Sequence, residues 1–295
     1  MSTHPSLLRS LLKEARPKQW AKNVLVVAAP GAAGLLSHRT PALQTLVAFI
    51  AFCMVSSGTY YWNDIKDVVA DRGHPTKCRR PIASGAVPLP LARVVGTVLL
   101  LGGIAVGFTI RWQLAVAAAG YVVLTTLYST VWKHIAVVDL VAVAFGFVVR
   151  AIGGATAVNV KMSMWFLLCT SFGSLFIVTG KRYAELREMG DTAGSTRRSL
   201  EDYTPGFLRI VLSVSVGATL ISYCTWAFEH MAQTASDWPY HELSIVPMVT
   251  ALLRYLLVLE QGHGSAPEEI FVSDRALQVL GVLWLTMFAL GVYVG

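Results

Sequence analysis

Residues 60–81 read YYWNDIKDVVADRGHPTKCRRP and concentrate acidic and basic side chains in a chain that is otherwise strongly apolar. On a helix that continues to Asp71, the carboxylates of Asp64, Asp67 and Asp71 stand at i, i+3 and i+7 and share one face. The amide of Asn63 lies one turn before Asp67. Clustered carboxylates repel one another unless a cation lies among them, and hard oxygen ligands of this kind suit Mg²⁺. The stretch therefore predicts a magnesium site, with a solvated loop between two membrane spans as the alternative.

The composition around this stretch is that of a polytopic membrane protein. Of the 295 residues, 55% are hydrophobic and 14% are charged, whereas soluble domains are nearer one quarter charged. The four cysteines are scattered without a CxxC pair, so we expect them to be small packing residues. The first twenty residues are polar and basic, and we therefore expect no secretory signal peptide. The net charge of +7 is better explained by membrane topology than by nucleic-acid binding, and we expect no nucleic-acid partner.

The apolar residues form nine stretches of about the length that a bilayer core requires, roughly 20 residues each. We place them near residues 23–37, 42–62, 91–110, 113–132, 135–156, 163–181, 207–229, 242–260 and 275–294. The first stretch is short and is interrupted by Pro30 and Gly31. Before it, residues 1–22 are predicted to form a basic segment on the membrane surface. The predicted fold is all-α, a membrane bundle of about nine transmembrane helices in a single domain spanning residues 1–295.

The basic residues predict the orientation of these spans. Lysine and arginine cluster before the first span, after the second, after the fourth at Lys133, and after the sixth, so that they alternate between the two faces. By the positive-inside rule, the basic face is cytoplasmic. We therefore predict a membrane protein with a cytoplasmic N-terminus and two long cytoplasmic loops.

The second long loop, KRYAELREMGDTAGSTRRSLEDYTP at residues 181–205, begins where the sixth span leaves the membrane. On a continued helix Lys181 and Glu185 share a face, and Arg182 lies near Glu185. Basic residues next to a membrane often contact only lipid head groups, and this is the alternative interpretation. Tyr128, at the cytoplasmic end of the predicted fourth span, is either a site residue or an interfacial anchor.

Three ionisable residues fall inside predicted spans and require partners or an aqueous cavity. They are Asp139 and Arg150 in the fifth span and Arg254 in the eighth. Mutual neutralisation is one interpretation and a functional cavity is the other. No HExxH, GxSxG, P-loop or GxGxxG pattern is present, so the sequence offers no standard soluble-enzyme motif.

Two segments resemble the UbiA-type intramembrane prenyltransferases. NDIKDVVADRGHPTKCRRPIASG at residues 63–85 resembles the first aspartate-rich motif of that superfamily, and LYSTVWKHIAVVDLVAVAFGFVVRAIGG at residues 127–154 resembles its fourth and fifth spans. The resemblance covers nearly the whole chain and implies the UbiA-type helical bundle. Most members carry a second aspartate-rich motif after the sixth span, but here KRYAELRE stands in that place, with Lys181 and Arg182 at its head.

This departure, together with RPKQWAKN at residues 16–23, is similar to one branch of the superfamily. The resemblance implies transfer of 5-phosphoribose from phosphoribosyl pyrophosphate to a polyprenyl (decaprenyl) phosphate, with release of pyrophosphate, for cell-wall arabinan precursors. A donor with a diphosphate and a 5-phosphate, and an acceptor with its own phosphate, need more cationic groups than one diphosphate does. The basic second loop is consistent with that need.

The implied site residues divide by role. Asp64, Asp67 and Asp71 are the catalytic carboxylates, and Asn63, Asp64 and Asp67 are the ligands of Mg²⁺, the implied cofactor. The implied substrate-binding residues are Lys22, Asn63, Lys77, Arg80, Tyr128, Lys181, Arg182 and Glu185. The implied partners are phosphoribosyl pyrophosphate, a polyprenyl phosphate and the bilayer, and the sequence is compatible with a homo-oligomer.

Three other functions remain open at this stage. The nearest is a prenyltransferase of the same fold that joins a prenyl diphosphate to an aromatic or quinone precursor. A transporter would place its charges near the membrane midplane between broken helices, whereas the strongest cluster here lies at one edge. An inactive scaffold protein would bind neither Mg²⁺ nor pyrophosphate.

Overall fold

The computed structural model describes residues 6–189, 198–231, 238–262 and 267–294, and within these ranges the chain contains helices and turns but no β-strand. The α-helices in this part of the chain are α1 Leu7–Glu14, α2 Leu25–Ala32, α3 Arg39–Lys66, α4 Val68–Arg72, α5 Leu89–Ile110, α6 Trp112–Thr130, α7 Val138–Ala157, α8 Met164–Met189, α9 Pro205–Met231, α10 Tyr240–Leu243, α11 Ile245–Glu260, α12 Pro267–Ser273 and α13 Arg275–Tyr293. The prediction of an all-α fold is confirmed.

Eight helical segments in the described ranges are long and apolar enough to cross a membrane. They are α3, α5, α6, α7, α8, α9, α10 with α11, and α13. They match the second to ninth predicted spans within a few residues, except that α8 continues to Met189, beyond the predicted end at residue 181. The first predicted span, 23–37, instead consists of the end of a 3₁₀ helix, the eight-residue α2 and a short 3₁₀ turn. Pro30 lies inside α2 and Gly34 has a φ of 69°, so the segment does not form one long helix. The predicted count of nine is not confirmed.

The chain divides into two compact units, and the division falls within α7. Unit 1 contains Met1–Gly31, His38–Thr130 and Val149–Lys161, and unit 2 contains Ala32–Ser37, Val131–Val148 and Met162–Gly295. The interpretation of the chain as one functional domain stays a prediction.

Small residues allow the helices of unit 1 to approach closely. A Cβ added at Gly103 of α5 would lie 2.8 Å from the Ala51 carbonyl oxygen of α3, and one at Gly154 of α7 would lie 1.8 Å from the Val26 carbonyl oxygen of α2. Neither position has room for a side chain, because these carbonyl oxygens belong to the backbone and cannot move aside. Packing through small residues is a common way in which membrane helices associate.

Helix α1 packs across the end of α3 with its polar face inward. Ser10 and Glu14 are buried, whereas Leu7, Leu8 and Leu12 are exposed. This inversion suits a helix whose apolar face contacts lipid, as expected for the basic surface segment. The Tyr61 hydroxyl donates to the Leu11 carbonyl at 2.8 Å, which fastens α1 to α3.

The core of unit 2 lies among α8, α9, α11 and α12. Its large side chains include Phe176, Tyr183, Tyr255 and Ile270, all almost fully buried. The Phe176 and Tyr255 rings lie 5.3 Å apart in a tilted arrangement. This packing fixes the C-terminal part of α8, which contains the first residues of the predicted second loop.

Candidate active site

The aspartate-rich stretch lies where α3 ends and α4 begins. Helix α3 ends at Lys66, and Asp67 has a ψ of 3° that separates it from α4. The helical hydrogen bonds nevertheless continue, since the Asp67 amide donates to the Asn63 carbonyl at 3.0 Å and the Asp71 amide donates to the Asp67 carbonyl at 2.8 Å. The spacing that was predicted to align the carboxylates is therefore kept across the break, and both Asp64 and Asp71 are buried.

Two arginines neutralise these buried carboxylates. Nη1 of Arg80 donates to Asp64 Oδ1 at 3.1 Å and to Asp71 Oδ2 at 2.7 Å, and so bridges the pair. Nη2 of Arg16 donates to Asp64 Oδ1 at 2.7 Å. Arg16 has a left-handed backbone with a φ of 53°, and its guanidinium carbon lies 4.9 Å from the ring centroid of Tyr60. These charge-assisted bonds hold the N-terminal segment against the end of α3.

Glu14 adds a third buried carboxyl to this group. Its side chain belongs to a residue that is 1% exposed, and no hydrogen-bond donor within the described ranges meets either of its oxygens. The Asp64 carboxyl and the backbone amide of Ile82 nevertheless approach it as looser hydrogen-bonding partners. Burial first, and then the neighbouring Asp64, raise the pKa of Glu14 from its ordinary 4.5 to about 8, although Arg16 opposes the shift.

A cavity of about 260 Å³ opens beside these side chains. It is lined by Lys13, Glu14, Arg16, Asp64, Thr76, Arg79, Arg80 and Pro81. Four of these side chains are basic and two are carboxylates, so the lining is suited to an anionic ligand.

The loop after α4 places Arg80 in this group through hydrogen bonds of its own. Nε of Arg72 donates to the Ala83 carbonyl at 3.2 Å, and the Ser84 amide donates to the Arg80 carbonyl at 2.9 Å. Ile82 is buried and anchors the turn in the core of unit 1. The buried side chain of Ile82 therefore fixes the turn that carries the charged side chain of Arg80.

The other candidates in the first motif are half-buried. In the part of the chain that the structure describes, the side chains of Asn63, Asp67 and Lys77 form no hydrogen bond or ion pair. The carboxylate of Asp67 therefore differs from those of Asp64 and Asp71, which arginines already engage. Asp67 and Asn63 have side-chain oxygens that remain available to a ligand.

The chemistry of these oxygens fits a divalent cation. The donor set consists of hard carboxylate and amide oxygens, which Mg²⁺ prefers. Among the described residues, however, no three acidic, histidine or cysteine side chains already stand in the arrangement of a metal site. Arg16 and Arg80 supply the positive charge at Asp64 and Asp71 instead.

The second predicted group, in unit 2, is a closed ionic cluster. Asp139 is fully buried and accepts hydrogen bonds from Arg182 Nε at 3.3 Å, from Ser199 Oγ at 3.3 Å and from the Tyr203 hydroxyl. Nη1 of Arg182 also donates to Glu185 at 2.8 Å. Burial, followed by the bond to Asp139, raises the pKa of the Tyr203 phenol above its usual range. Asp139 thus finds its partner in Arg182, and mutual neutralisation with Arg150 is not needed to explain it.

The remaining ionisable residues of the spans also have partners. Arg150 donates from Nε to Asn23 Oδ1 at 2.7 Å and from Nη2 to the Tyr121 hydroxyl at 2.8 Å, all within unit 1. Arg254 donates to Asp274 at 2.7 Å within unit 2. Polar bonds of this kind reduce the cost of placing a guanidinium between membrane helices.

Three further candidates are half-buried residues on helices. Lys22 is half-buried in the 3₁₀ helix Pro17–Val24, Tyr128 is half-buried in the last turn of α6, and Lys181 is half-buried on α8 beside the Arg182 cluster. Their substrate-binding roles stay predictions.

Sequence reasoning did not select Glu14 or Arg16 as site residues. Arg16 lies 48 positions before Asp64, and no periodicity links residues so far apart. The one local signal was an acidic residue on the inward side of an otherwise basic surface helix, next to the quoted RPKQWAKN segment. Only the packing of α1 across α3 shows that Glu14 and Arg16 face Asp64.

Comparison with known proteins places this geometry in a family. The sequence model of the UbiA prenyltransferase family matches residues 24–276, which is most of the chain. The chain belongs to the UbiA prenyltransferase family. The sequence-based assignment to that superfamily is confirmed.

Two relatives of this UbiA family member carry the same name. The decaprenyl-phosphate phosphoribosyltransferase of Corynebacterium glutamicum is 40% identical over 294 residues, covering 98% of this chain and 88% of the relative. The enzyme of that name from Mycolicibacterium smegmatis is 39% identical over 298 residues, covering 98% of this chain and 94% of the relative. Both similarities extend through the first and the second motif regions.

A solved structure supports the fold of the UbiA family member. A UbiA homologue from Archaeoglobus fulgidus, bound to DMAPP and Mg²⁺, superposes with a TM-score of 0.71. The match covers 97% of this chain and 99% of the other at 16% sequence identity. At that identity the likeness shows the helical architecture and no more.

Proposed function

We propose that this chain transfers 5-phosphoribose from phosphoribosyl pyrophosphate to decaprenyl phosphate or a similar polyprenyl phosphate and releases pyrophosphate. The phosphoribosylated lipid would serve as a precursor of cell-wall arabinan. The observation that carries the proposal is the 39–40% identity, over 98% of the chain, to two relatives named decaprenyl-phosphate phosphoribosyltransferase. The carboxylate and arginine group in unit 1 supports it, because a diphosphate donor needs both metal ligands and cations.

The donor's pyrophosphate is assigned to the first motif. Asn63, Asp64 and Asp67 are the proposed ligands of a divalent metal ion, with Mg²⁺ as the first choice, and Asp71 completes the group. When bound, the metal neutralises negative charge on the departing pyrophosphate. Arg16 and Arg80, which contact Asp64, would lie beside such a metal and would be placed to contact phosphate oxygens.

The basic side chains of the first motif have a matching role. Arg80 is held beside the cavity by the hydrogen bonds of its loop at Ala83 and Ser84. The side-chain amine of Lys77 has no hydrogen-bond or ion-pair partner among the described residues. Both are proposed to bind pyrophosphate oxygens, which gain charge as the ribose C1–O bond breaks. Groups fixed in advance at that point stabilise the transition state, because they need not reorganise.

The acceptor requires little activation by the protein. A phosphate monoester has a second pKa near 6 and is largely a dianion at pH 7, so its oxygen is already nucleophilic. That oxygen forms the new bond to ribose C1 while pyrophosphate leaves with the bonding electrons, and no proton has to be removed. Attack opposite the leaving group inverts the configuration at C1.

The second motif is assigned to the remaining phosphates. Lys181, Arg182 and Glu185 are proposed to serve the 5-phosphate or the lipid phosphate, with Lys22 and Tyr128 as further contacts. Because Arg182 is already bonded to Asp139 and Glu185, its proposed role is to position neighbouring groups, and Lys181 is the stronger candidate for a direct contact. The roles of Lys181, Arg182 and Glu185 rest on unit 2, whereas those of Lys22 and Tyr128, which belong to unit 1, rest on the sequence alone.

The proposed setting is the bacterial inner membrane, with the N-terminus and both motif loops in the cytoplasm. Phosphoribosyl pyrophosphate is a soluble donor, and the isoprenoid acceptor is a lipid. A single domain with an aqueous site and lipid-facing helices suits this combination, and a homo-oligomer is compatible with it.

The test is a transfer assay with purified protein. Phosphoribosyl pyrophosphate labelled in the ribose is supplied with decaprenyl phosphate and Mg²⁺ in detergent, and the label is followed into the organic phase. We expect transfer that depends on the lipid phosphate, stops with EDTA and returns with excess Mg²⁺.

The rival prenyltransferase is tested in parallel. Labelled prenyl diphosphate and 4-hydroxybenzoate replace the two substrates, with the same protein and metal. Prenylation without phosphoribosyl transfer would overturn the proposal and assign the chain to the rival reaction.

A further inference from the structure

We propose that the cavity beside Asp64 binds a phosphate monoester group of a substrate, and that Lys13 and Arg79 are its cationic contacts. The inference rests on the proposed function, because it adds a phosphate subsite for the same reaction. That reaction brings two phosphate monoesters together, the 5-phosphate of the donor and the phosphate of the polyprenyl acceptor. Neither Lys13 nor Arg79 is among the substrate contacts proposed for the two motifs, and the second motif then serves the monoester that the cavity does not hold.

The first step is the charge of the cavity lining. Four basic side chains and two carboxylates line the cavity. They are, in that order, Lys13, Arg16, Arg79, Arg80, Glu14 and Asp64. Even with both carboxylates ionised, positive charges outnumber negative ones, and a concave site with an excess of one sign attracts ligands of the opposite sign. A phosphate monoester, which is largely a dianion at pH 7, matches this excess.

The second step separates the four basic side chains into two pairs. Arg16 and Arg80 donate to Asp64 at 2.7 and 3.1 Å, and their side chains are 30% and 31% exposed. Lys13 and Arg79 are exposed residues, and within the described ranges their side chains form no hydrogen bond or ion pair. The charges of Lys13 and Arg79 are therefore available to a ligand without the loss of a bond inside the protein.

The third step distinguishes the cavity from the proposed metal and pyrophosphate contacts. Asn63, Asp67 and Lys77 do not line the cavity, whereas Arg80 lines it and also donates to Asp71. A phosphate in the cavity therefore lies next to the proposed pyrophosphate position and does not take its place. The cavity volume of about 260 Å³ is many times the roughly 10–15 Å³ that one water needs, so a phosphate group fits.

The fourth step is the support of Lys13. This residue lies on α1 between two positions that are fastened to α3. The Tyr61 hydroxyl donates to the Leu11 carbonyl at 2.8 Å, and the Ser57 hydroxyl donates to the Ala15 carbonyl at 2.9 Å. The backbone that carries Lys13 is therefore fixed beside the cavity.

The support of Arg79 comes from His74. Arg79 ends a short 3₁₀ helix, and the backbone amides of Thr76 and Lys77 at its start donate to Nδ1 of His74 at 3.3 and 3.4 Å. The Cys78 amide donates to the His74 carbonyl at 3.2 Å. Two separate segments with fixed backbones thus bring a cation each to one cavity, and such preorganisation lowers the entropy cost of binding.

The test measures the binding of two phosphate monoesters to the full-length protein in detergent. Ribose 5-phosphate represents the donor's 5-phosphate, and farnesyl phosphate represents the lipid acceptor. Titration calorimetry compares the wild type with Lys13→Ala, Arg79→Ala and the double variant. Arg9→Ala and Arg93→Ala are the matched controls, because Arg9 is exposed on α1, Arg93 is exposed on α5, and neither lines the cavity.

We expect each single variant to weaken the binding of one monoester at least about tenfold, the scale of one hydrogen bond to a charged group. The double variant should lose about a hundredfold, and Lys13→Arg, which keeps the charge, should stay near the wild type. In the transfer assay, KM for the matching substrate should rise while kcat changes little, because the contact is made equally before and during the reaction.

The two probes distinguish the source of the phosphate. An effect on ribose 5-phosphate and on KM for phosphoribosyl pyrophosphate assigns the cavity to the donor's 5-phosphate. An effect on farnesyl phosphate and on KM for decaprenyl phosphate assigns it to the acceptor. Because Lys13 and Arg79 are exposed, we expect their alanine variants to fold, and each single variant carries the test if the double variant does not accumulate.

Unchanged affinity for both monoesters in the double variant would overturn the inference, as would a wild type that binds neither. An equal loss in Arg9→Ala and Arg93→Ala would also overturn it, since general surface charge would then explain the binding. If the wild type transfers phosphoribose and the double variant matches it in affinity and KM, only this inference fails. If the double variant loses a monoester but the wild type transfers no phosphoribose, only the proposed function fails.

Discussion

The carboxylate group of unit 1 and the Asp139 cluster of unit 2 are both buried and both contain arginine, but they differ in completeness. Asp139 is fully buried and is bonded to Arg182, Ser199 and Tyr203. Asp64 shares its surroundings with Glu14, whose oxygens meet no described donor, and both line an open cavity. A closed cluster of this kind stabilises the fold, whereas an incomplete one beside a cavity is suited to binding a ligand.

The largest expected effect comes from removing Asp64. Asp64→Ala should lower phosphoribosyl transfer by about a thousandfold, the upper range for losing one charge-stabilising group, because the metal and Arg16 both lose an anchor. The protein should still accumulate in the membrane, because the side chains of Arg16 and Arg80 are 30% and 31% exposed and can be solvated without Asp64. Initial rates in the lipid-transfer assay measure the change.

The exposed Asp202→Ala serves as the control for Asp64→Ala and should retain wild-type rates. Near-normal transfer by Asp64→Ala would break the comparison, since the incomplete group would then have no catalytic role.

The next effect concerns stability and the closed cluster. Asp139→Asn removes the negative partner of Arg182 and leaves a buried guanidinium with less compensation. Breaking a buried ion pair typically costs about 3–5 kcal/mol, so we expect a clearly lower thermal midpoint and a lower yield in detergent. Activity per folded molecule should fall far less than in Asp64→Ala.

The comparison variant for Asp139→Asn is Glu260→Gln, which disrupts an ion pair with Arg209 whose side chains are about half exposed. Exposed pairs contribute about 0–1 kcal/mol, and its midpoint should change little. If Asp139→Asn kept its midpoint but lost transfer entirely, the unit 2 cluster would be catalytic and the distinction between the two groups would be wrong.

The smallest expected effect is a dependence of stability on pH, and it sharpens the comparison at Glu14. The pKa of Glu14 is raised from 4.5 to about 8, so between these values the folded protein holds a proton that the unfolded chain releases. Stability without metal should therefore be full below about pH 4.5 and should fall as pH rises toward 8. The slope for one such proton is at most about 1.4 kcal/mol per pH unit.

Thermal midpoints in EDTA across this pH range measure the effect, and Glu14→Gln should flatten the profile. An identical pH profile in the two proteins would mean that Glu14 is ionised throughout. In that case the protonation of Glu14 would not distinguish the unit 1 group from the Asp139 cluster of unit 2.

Much of the fold was predictable because hydrophobic length is a local property. Most spans from α3 onward were placed within a few residues, since each needs only a run of apolar side chains, but α8 continues well past the predicted end at residue 181. The first predicted span, which Pro30 and Gly31 interrupt in the sequence, is not confirmed as a membrane-crossing helix, because Pro30 and the positive φ of Gly34 break a stretch whose hydropathy alone is sufficient. Hydropathy does not report backbone geometry.

The candidate site was predictable in part for the same reason. Asp64 and Asp71 share a side because helical spacing is encoded locally, and that spacing survives the break at Asp67. The bridging role of Arg80 depends on a turn anchored by Ile82, which no periodicity indicates.

By itself the sequence determined the helical membrane architecture, the family and the line of acidic residues at the end of α3, because composition, motif and helical spacing act over short distances. The tertiary structure decided which charges are matched. Glu14 and Arg16 face Asp64 only because α1 packs across α3, and Asp139 is paired with Arg182 only because α7 and α8 approach within unit 2. Electrostatic compensation depends on distances of a few ångströms between residues far apart in the chain. The aspartate-rich stretch therefore predicts a metal site, and the packing around it brings the carboxyl of Glu14 and the guanidinium of Arg16 to Asp64.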